Sequence, residues 1–154
     1  MKKLRVTIVA AVLAVVMVFA AACGNDDNGS GGARTDPQAA QYLALFNQAV
    51  GVFEGNSNFE VVTNVTRAQL GAMASEYPAG LVRLAYIEHR TNFEIYIEII
   101  LFDTNANADM GAAELLEKYW GFIAGQKGRV VFYGLSRNTI NMVIDEIGGE
   151  IVTS

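Results

Sequence analysis

The residues best suited to acid–base chemistry in this sequence are two glutamates and the single histidine. Glu94 and Glu98 alternate onto one face of a predicted strand, where paired carboxylates could do general acid and base work. His89 precedes them at a predicted hairpin and could act as a general base. The alternative is a solvated strand end and a solvated sheet face, neutralised by Arg83 and other basic neighbours.

A second set of side chains falls in the register of a calcium-binding loop. Hard oxygen donors stand at its first, third, fifth and twelfth positions, which are Asp103, Asn105, Asn107 and Glu114. Ala108 replaces the glycine that makes the sharp turn of such loops, and the preceding element is a predicted strand. The alternative is a polar strand-to-helix turn in which Asp109 caps a helix and Glu114 is solvated.

An aromatic run offers a third candidate. Trp120 with Tyr119 and Phe122 could line a ligand groove, whereas aromatic residues on a helix beside a sheet more commonly form core. No Gly-x-Ser-x-Gly elbow, phosphate-binding loop or histidine pair accompanies these residues. The sequence therefore contains no catalytic motif, and apart from the calcium pattern no cofactor is expected.

Composition excludes several classes of protein. The 154 residues include 16 acidic and 11 basic side chains, one His and one Cys. A net charge of -5 argues against nucleic-acid binding, which needs clustered Lys and Arg. One Cys cannot form a disulfide framework, and one Cys with one His cannot form a Cys/His zinc site.

The apolar residues are concentrated at the N-terminus. Lys2, Lys3 and Arg5 precede an uncharged run over 6–22, the arrangement of a secretory signal. Residues 20–23 read Ala-Ala-Ala-Cys and resemble the lipobox of bacterial lipoproteins, in which the Cys is lipidated and becomes the first residue after cleavage. The resemblance implies a signal peptide over 1–22 and a lipid, such as palmitate, on Cys23. The alternatives are an uncleaved membrane helix and a secreted protein.

Cleavage would remove three basic residues and no acidic ones, so the net charge would change from -5 to -8. The resulting chain is expected to lie outside the cytoplasm, held to the cell membrane or the outer membrane by the lipid on Cys23. Residues 23–35 are rich in Gly, Asn and Asp and predict a flexible tether. Residues 36–154 then predict one domain.

Hydrophobic periodicity in that domain predicts an α+β fold. Helices are indicated from Asp36-Pro37 to Gly55, after a Thr66–Gln69 capping box, from about 110 to 124, and after Ser136. Strands are indicated over 81–89, 92–102 and 129–135, with 59–65 left open between strand and loop and 150–153 as an edge strand. We expect a two-layer sandwich of helices on an antiparallel or mixed sheet, for which a ferredoxin-like βαββαβ order with an extra N-terminal helix is one arrangement.

From Phe59 onward the pattern resembles small bacterial lipoproteins with an α+β domain of unknown function. The segment 64–70, the strand containing Glu94, the Asp-rich turn into a helix, and the strand 129–135 with Ser136 contribute this resemblance. About two thirds of the chain after Cys23 is covered, and the short connection over 125–128 departs from the pattern. The resemblance implies a lipoprotein domain and no catalytic residue.

The leading hypothesis is therefore a lipid-anchored envelope protein whose small domain binds an unknown protein or small molecule. The alternatives are an envelope enzyme using Glu94, Glu98 and His89, and a weak calcium-binding surface module. A solute receptor with two lobes is disfavoured, because about 130 residues are too few for two domains around a cleft.

Overall fold

Helices and strands alternate through the chain after the predicted tether. The computed structural model of the protein describes residues 37–153, which belong to one compact unit, Thr35–Ser154. The predicted signal peptide, the lipidation site Cys23 and the tether lie outside the described residues. Within residues 37–153, no helix is both long enough and apolar enough to span a bilayer.

The described residues form four α-helices, one 3₁₀ helix and six strands. The α-helices are α1 (Pro37–Glu54), α2 (Arg67–Leu70), α3 (Asn105–Lys118) and α4 (Arg137–Ile147), and the 3₁₀ helix (Gly71–Glu76) follows α2. The strands are β1 (Phe59–Thr66), β2 (Leu81–His89), β3 (Tyr96–Phe102), β4 (Ile123–Lys127), β5 (Val130–Gly134) and β6 (Glu150–Val152). The segment left open in the sequence, 59–65, is a strand.

All six strands belong to one sheet in the order β1-β2-β3-β5-β4-β6, and every neighbouring pair is antiparallel. The predicted α+β class, with helices packed on a sheet, is confirmed. The sheet differs from the ferredoxin-like arrangement, because β1 pairs directly with β2 rather than being separated from it by another strand.

Helices cover both faces of the sheet, so the domain has three layers where two were expected. The first face packs against α1 and α4, with Phe46, Phe53 and Ile140 among its fully buried side chains. The second face packs against α3 through Ala108, Ala112 and Leu115. Strand β3 serves both layers, as period-two alternation requires: Ile97, Ile99 and Leu101 join the first core, and Ile100 and Phe102 join the second.

Two irregularities change which face a strand residue occupies. The pairing of β1 with β2 shifts between Val61 and Thr63, and the pairing of β2 with β3 shifts between Leu81 and Arg83. Each shift adds one residue to a strand and reverses the alternation beyond it. As a result Leu81 and Leu84, three residues apart, both pack in the second core, while Arg83 pairs with Leu101 on the first face.

Local capping accounts for the starts of the helices. Thr66 N–H donates to Gln69 Oε1 at 2.8 Å, as the predicted capping box requires. Ser136 Oγ accepts from the N–H of Thr139 and begins α4 as predicted.

The prediction of a helix over 110–124 was wrong at both ends. Helix α3 begins earlier, because Thr104 caps it by accepting from Asn107 N–H at 3.1 Å, and residues 123–127 form β4. A two-residue turn with Gly128 at φ 55° joins β4 to β5.

The two ends of the sheet are useful landmarks. At the hairpin end β2 finishes with His89 and β3 begins with Tyr96. The opposite end of the sheet, which we call the cleft end, is where β3 finishes with Phe102 and β5 begins with Val130. Helix α1 starts at the cleft end, where Tyr42 packs against Gly128, and finishes at the hairpin end, where Phe53 contacts Phe59.

Candidate functional site

The structure does not bring Glu94, Glu98 and His89 together. Glu94 is exposed in the turn before β3, where its N–H donates to Asn92 Oδ1. Even in a continuous strand, four residues would separate the two carboxylates by about 13 Å. His89 pairs with Phe59 on the first face, whereas Glu98 lies on the second face. The predicted catalytic trio is therefore not formed, and the enzyme hypothesis loses its site.

His89 has a structural explanation in the hairpin. Its Nδ1 accepts hydrogen bonds from the N–H groups of Thr91 and Asn92, at 3.3 and 3.2 Å. Its ring packs edge-on against Phe59, with centroids 5.1 Å apart. These contacts stabilise the turn from β2 towards β3. Because Nδ1 already accepts two hydrogen bonds, its lone pair is not available to accept a proton from a substrate.

Glu98 is a partly buried carboxylate at the centre of the second face. It accepts a hydrogen bond from the Tyr133 hydroxyl at 2.7 Å, and the Tyr77 hydroxyl donates another. Burial raises the pKa of Glu98 above its ordinary value, while the hydrogen bonds from Tyr133 and Tyr77 and the charge of Lys118 oppose that rise. Glu98 therefore holds together β3, β5 and the end of the 3₁₀ segment.

The tyrosines around Glu98 respond to the same environment. Burial, followed by the nearby Glu98 carboxylate, raises the pKa of Tyr77, Tyr96 and Tyr133. Burial together with Glu88, which accepts a hydrogen bond from the Tyr86 hydroxyl at 2.7 Å, raises the pKa of Tyr86. All four phenols therefore remain protonated donors in the neutral range.

The calcium-loop residues do not converge. Asp103 precedes α3, whereas Asn105, Asn107 and Glu114 all lie within it. At 1.5 Å per residue, α3 separates Asn105 from Glu114 by about 13 Å along its axis. Asp103 Oδ1 instead accepts from Asn107 Nδ2 at 2.7 Å. This geometry does not agree with the predicted calcium loop, because three of its four residues are spread along α3. Among residues 37–153 no group of three or more His, Cys, Asp or Glu is arranged to hold a metal.

The aromatic run divides between surface and core. Trp120 is 96% exposed in the turn between α3 and β4, so the commoner core role does not apply to it. Tyr119 and Phe122 are partly buried and pack against the second core, with ring centroids 5.3 Å apart.

A cleft that the sequence did not indicate opens on the first face at the cleft end. It encloses about 500 Å³ between the first turns of α1 and the ends of the strands. Tyr42, Leu43 and Leu101 provide much of its apolar lining, and two guanidinium groups, those of Arg83 and Arg129, also line it. A volume of this size falls in the usual range for small-molecule sites.

Aromatic rings hold both guanidinium groups in place. Arg83 Cζ lies 5.7 Å from the ring centroid of Phe46, and Arg129 Cζ lies 5.1 Å from that of Tyr42. Arg83 Nη2 also donates to Asn64 Oδ1 at 3.3 Å, while its Nε is buried without a hydrogen-bond partner among the described residues. The arginines are thus positioned before any ligand arrives, which lowers the entropy cost of binding.

The charge of the cleft favours an anion. Asp103 is the one acidic residue among its described lining groups, and its Oδ1 accepts from Asn107. Arg129 Nη2 donates to Gln38 Oε1 at 3.2 Å, and Arg83 places a second guanidinium group against the apolar wall. The arrangement suits a molecule with an apolar body and one acidic group, since guanidinium donors match carboxylate oxygens in geometry.

The sequence contained only a weak signal for this cleft. Arg83 is a charged residue in the apolar first half of β2, and the sequence pattern predicted that it neutralises the glutamates. In the pairing of β2 with β3, Arg83 lies opposite Leu101 and Tyr86 lies opposite Glu98, so alternation places Arg83 and Glu98 on opposite faces. Arg129 lies in the β4–β5 turn, and β4 was not predicted.

Comparison with known proteins gives no relatives. No family model matches the chain, and no curated protein or solved structure matches it.

Proposed function

We propose that this protein is a lipid-anchored lipoprotein of the cell envelope whose domain binds an apolar molecule carrying one acidic group. The anchor rests on the sequence: a basic N-terminus, an uncharged run and the Ala20–Cys23 lipobox. The resemblance of the domain to small bacterial lipoproteins agrees with it. Two or more acyl chains on Cys23 would hold the protein stably to the cell membrane or outer membrane.

The observation that favours a binding function is the arginine cleft, defined by Arg83 and Arg129 above the apolar wall of Tyr42, Leu43 and Leu101. A concave, mainly apolar cleft with a few converging polar groups is typical of ligand sites. The enzyme alternative has no comparable cluster among residues 37–153, because its three candidate residues lie apart.

Metabolic labelling tests the anchor. Cells producing the full chain in the presence of radiolabelled palmitate should incorporate label, and the Cys23→Ala variant should not and should keep the mass of the precursor. Ser30→Ala, a change within the predicted tether, should label like the wild type. Label retained by Cys23→Ala would contradict the anchor, whatever the cleft binds.

Calorimetry on the full chain in detergent tests the cleft. The probe is 4-phenylbutanoate, compared with the neutral amide 4-phenylbutanamide. We expect the acid to bind and the amide to bind at least about tenfold more weakly, because a charge-assisted hydrogen bond is lost. Arg83→Gln should weaken binding of the acid by about tenfold, and Arg137→Gln, an exposed arginine on α4, should not. Equal binding of acid and amide would contradict the proposal.

A further inference from the structure

The second face of the sheet is covered at the cleft end and open towards the hairpin end. Along β2 the side chains on this face pass from Leu84, which is 2% exposed, to the partly exposed Tyr86 and Glu88. Along β3 they pass from the buried Ile100 through Glu98 to the partly exposed Tyr96. The open part of this face therefore presents aromatic and acidic side chains in place of core residues.

Four aromatic rings form a continuous surface there. The centroids of Tyr86 and Tyr96 are 5.6 Å apart at an interplanar angle of 46°. Tyr96 is 5.7 Å from Phe122, which is 5.3 Å from Tyr119. All four rings are partly exposed. We refer to these four residues as the tyrosine surface. A single cation above Tyr86 and Tyr96 can lie within 6 Å of both centroids, the distance at which cation–π attraction acts.

Two carboxylates lie beside the rings of the tyrosine surface, and the charge of Lys118 acts on one of them, Glu98. Glu88 accepts from the Tyr86 hydroxyl, and Glu98 accepts from the Tyr133 hydroxyl, each at 2.7 Å. Phenol hydroxyls satisfy these oxygens without neutralising their charge. Among residues 37–153 the side chains of Arg90 and Glu60 form an ion pair, and neither Glu88 nor Glu98 is in a salt bridge there.

One cation of the protein already uses this surface. Lys118 Nζ lies 5.3 Å from the ring centroid of Tyr119, and it donates to the Glu76 carbonyl oxygen at 3.0 Å. The lysine is therefore held at the margin, on one ring. The pair formed by Tyr86 and Tyr96 has no such cation among the described residues.

We infer that the tyrosine surface, with Glu88 and Glu98, binds an organic cation, either an ammonium or a guanidinium group. Aromatic faces attract the cation through their quadrupole, and the two carboxylates add charge complementarity. This site lies on the opposite face from the arginine cleft, and its ligand class does not depend on what the cleft binds. The cation could belong to a small quaternary amine or to a lysine or arginine side chain of another protein.

Calorimetry with a matched pair of probes tests the inference on the full chain in detergent. Choline is the cation, and 3,3-dimethylbutan-1-ol is its neutral isostere. We expect choline to bind and the alcohol to bind at least about fivefold more weakly. N-acetyl-lysine amide and N-acetyl-arginine amide distinguish the two sources: tighter binding of either indicates a protein partner, and tighter binding of choline indicates a small amine.

Three variants locate the site. Glu98→Gln keeps the shape of the side chain and should weaken choline binding by about fivefold. Tyr96→Leu removes one ring and should weaken it by a similar factor. Phe93→Leu changes an aromatic residue that is 65% exposed and not part of the surface, and should leave binding unchanged.

Two outcomes would overturn the inference: equal binding of choline and the alcohol, or unchanged choline binding in Glu98→Gln. If Tyr96→Leu fails to fold, Tyr86→Phe provides the second measurement. It keeps the ring and removes the hydroxyl that donates to Glu88, so choline should still bind. Loss of choline binding in a folded Tyr86→Phe protein would contradict a ring-based site.

Discussion

The arginine cleft and the tyrosine surface both depend on contacts between a cation and an aromatic ring, but they differ in which of the two groups the protein itself supplies. In the cleft the protein supplies both groups, since Arg83 lies over Phe46 and Arg129 over Tyr42. At the tyrosine surface it supplies rings and carboxylates, and its one nearby cation, Lys118, lies at the margin. The arginine cleft presents guanidinium groups to a ligand, and the tyrosine surface presents aromatic rings and carboxylates.

The two regions also differ in how firmly they are built into the core. Phe46 is fully buried beneath Arg83, so the cleft is an extension of the first core. The tyrosine surface is the margin of the second core, where helices no longer cover the sheet. A ligand in the cleft would meet prearranged donors, whereas a ligand on the tyrosine surface would itself cover partly exposed rings.

Truncating the rings should reveal this difference in burial. Phe46→Ala should lower the free energy of unfolding by about 3–5 kcal/mol, because it leaves a cavity in the first core. Tyr96→Ala should cost less, about 1–2 kcal/mol, because its ring is partly solvated already. Urea unfolding followed by circular dichroism measures both, with the exposed Phe93→Ala as a control expected within about 0.5 kcal/mol of the wild type. Equal costs for Phe46→Ala and Tyr96→Ala would show that the two regions are equally built into the core.

Exchanging charge at each region should separate their ligands. Arg83→Gln should weaken the binding of 4-phenylbutanoate by about tenfold and leave the binding of choline unchanged. Glu98→Gln should weaken the binding of choline by about fivefold and leave the binding of 4-phenylbutanoate unchanged. The reason is that the two side chains lie on opposite faces of the sheet. Calorimetric titration of both variants with both probes measures this. A variant that weakens both probes equally would indicate a shared effect on folding.

The smallest expected effect is the pH dependence at Glu98. Burial raises its pKa above the ordinary 4.5, so the folded protein holds that proton more tightly than the unfolded chain does. Protonated Glu98 therefore contributes to the free energy of unfolding. This contribution is fully present below pH 4.5 and is lost as the pH rises through the pKa of Glu98 in the folded protein. The titratable groups that interact with Glu98 are Tyr77, Tyr86, Tyr96, Tyr133 and Lys118, and Glu88 and Tyr119 interact in turn with these tyrosines.

Urea unfolding between about pH 4 and about pH 8 measures how the free energy of unfolding changes with pH. In Glu98→Gln this change should be smaller than in the wild type. Choline binding should change in the opposite direction and tighten as the pH rises, because the carboxylate becomes charged. If the free energy of unfolding changed with pH in the same way in the wild type and in Glu98→Gln, other titratable groups would be responsible for the change.

Much of the fold was accessible from local patterns. The capping box at Thr66, the cap at Ser136 and the alternation of Ile97, Ile99 and Leu101 each depend on residues within one turn or one strand. Such patterns predict elements because side-chain spacing and backbone hydrogen bonding are local. Strand β4 escaped prediction because Ile123 and Ala124 continue the apolar pattern of the preceding helix, and only Gly121 and Gly128, both with positive φ, mark its limits.

The candidate sites depended on long-range pairing. Glu98 meets Tyr133 because β3 pairs with β5, although 35 residues separate them in the chain. Arg83 lies beside the cleft because β2 pairs with β3 so that Arg83 is opposite Leu101 on the first face. The alternation within one strand does not say which residues of two strands share a face, and the register of β2 with β3 places Arg83 and Glu98 on opposite faces.

The sequence by itself determined the class of the fold, the positions of most elements and the basis for expecting a lipid anchor at Cys23, because each depends on neighbouring residues. Only the tertiary structure decided that helices cover both faces, that the calcium-loop residues lie along a helix, and that two arginines and a group of tyrosines gather in separate places. The physical reason is that a binding surface is made by side chains from different strands. Their meeting depends on strand order and register, which the spacing within one segment does not contain.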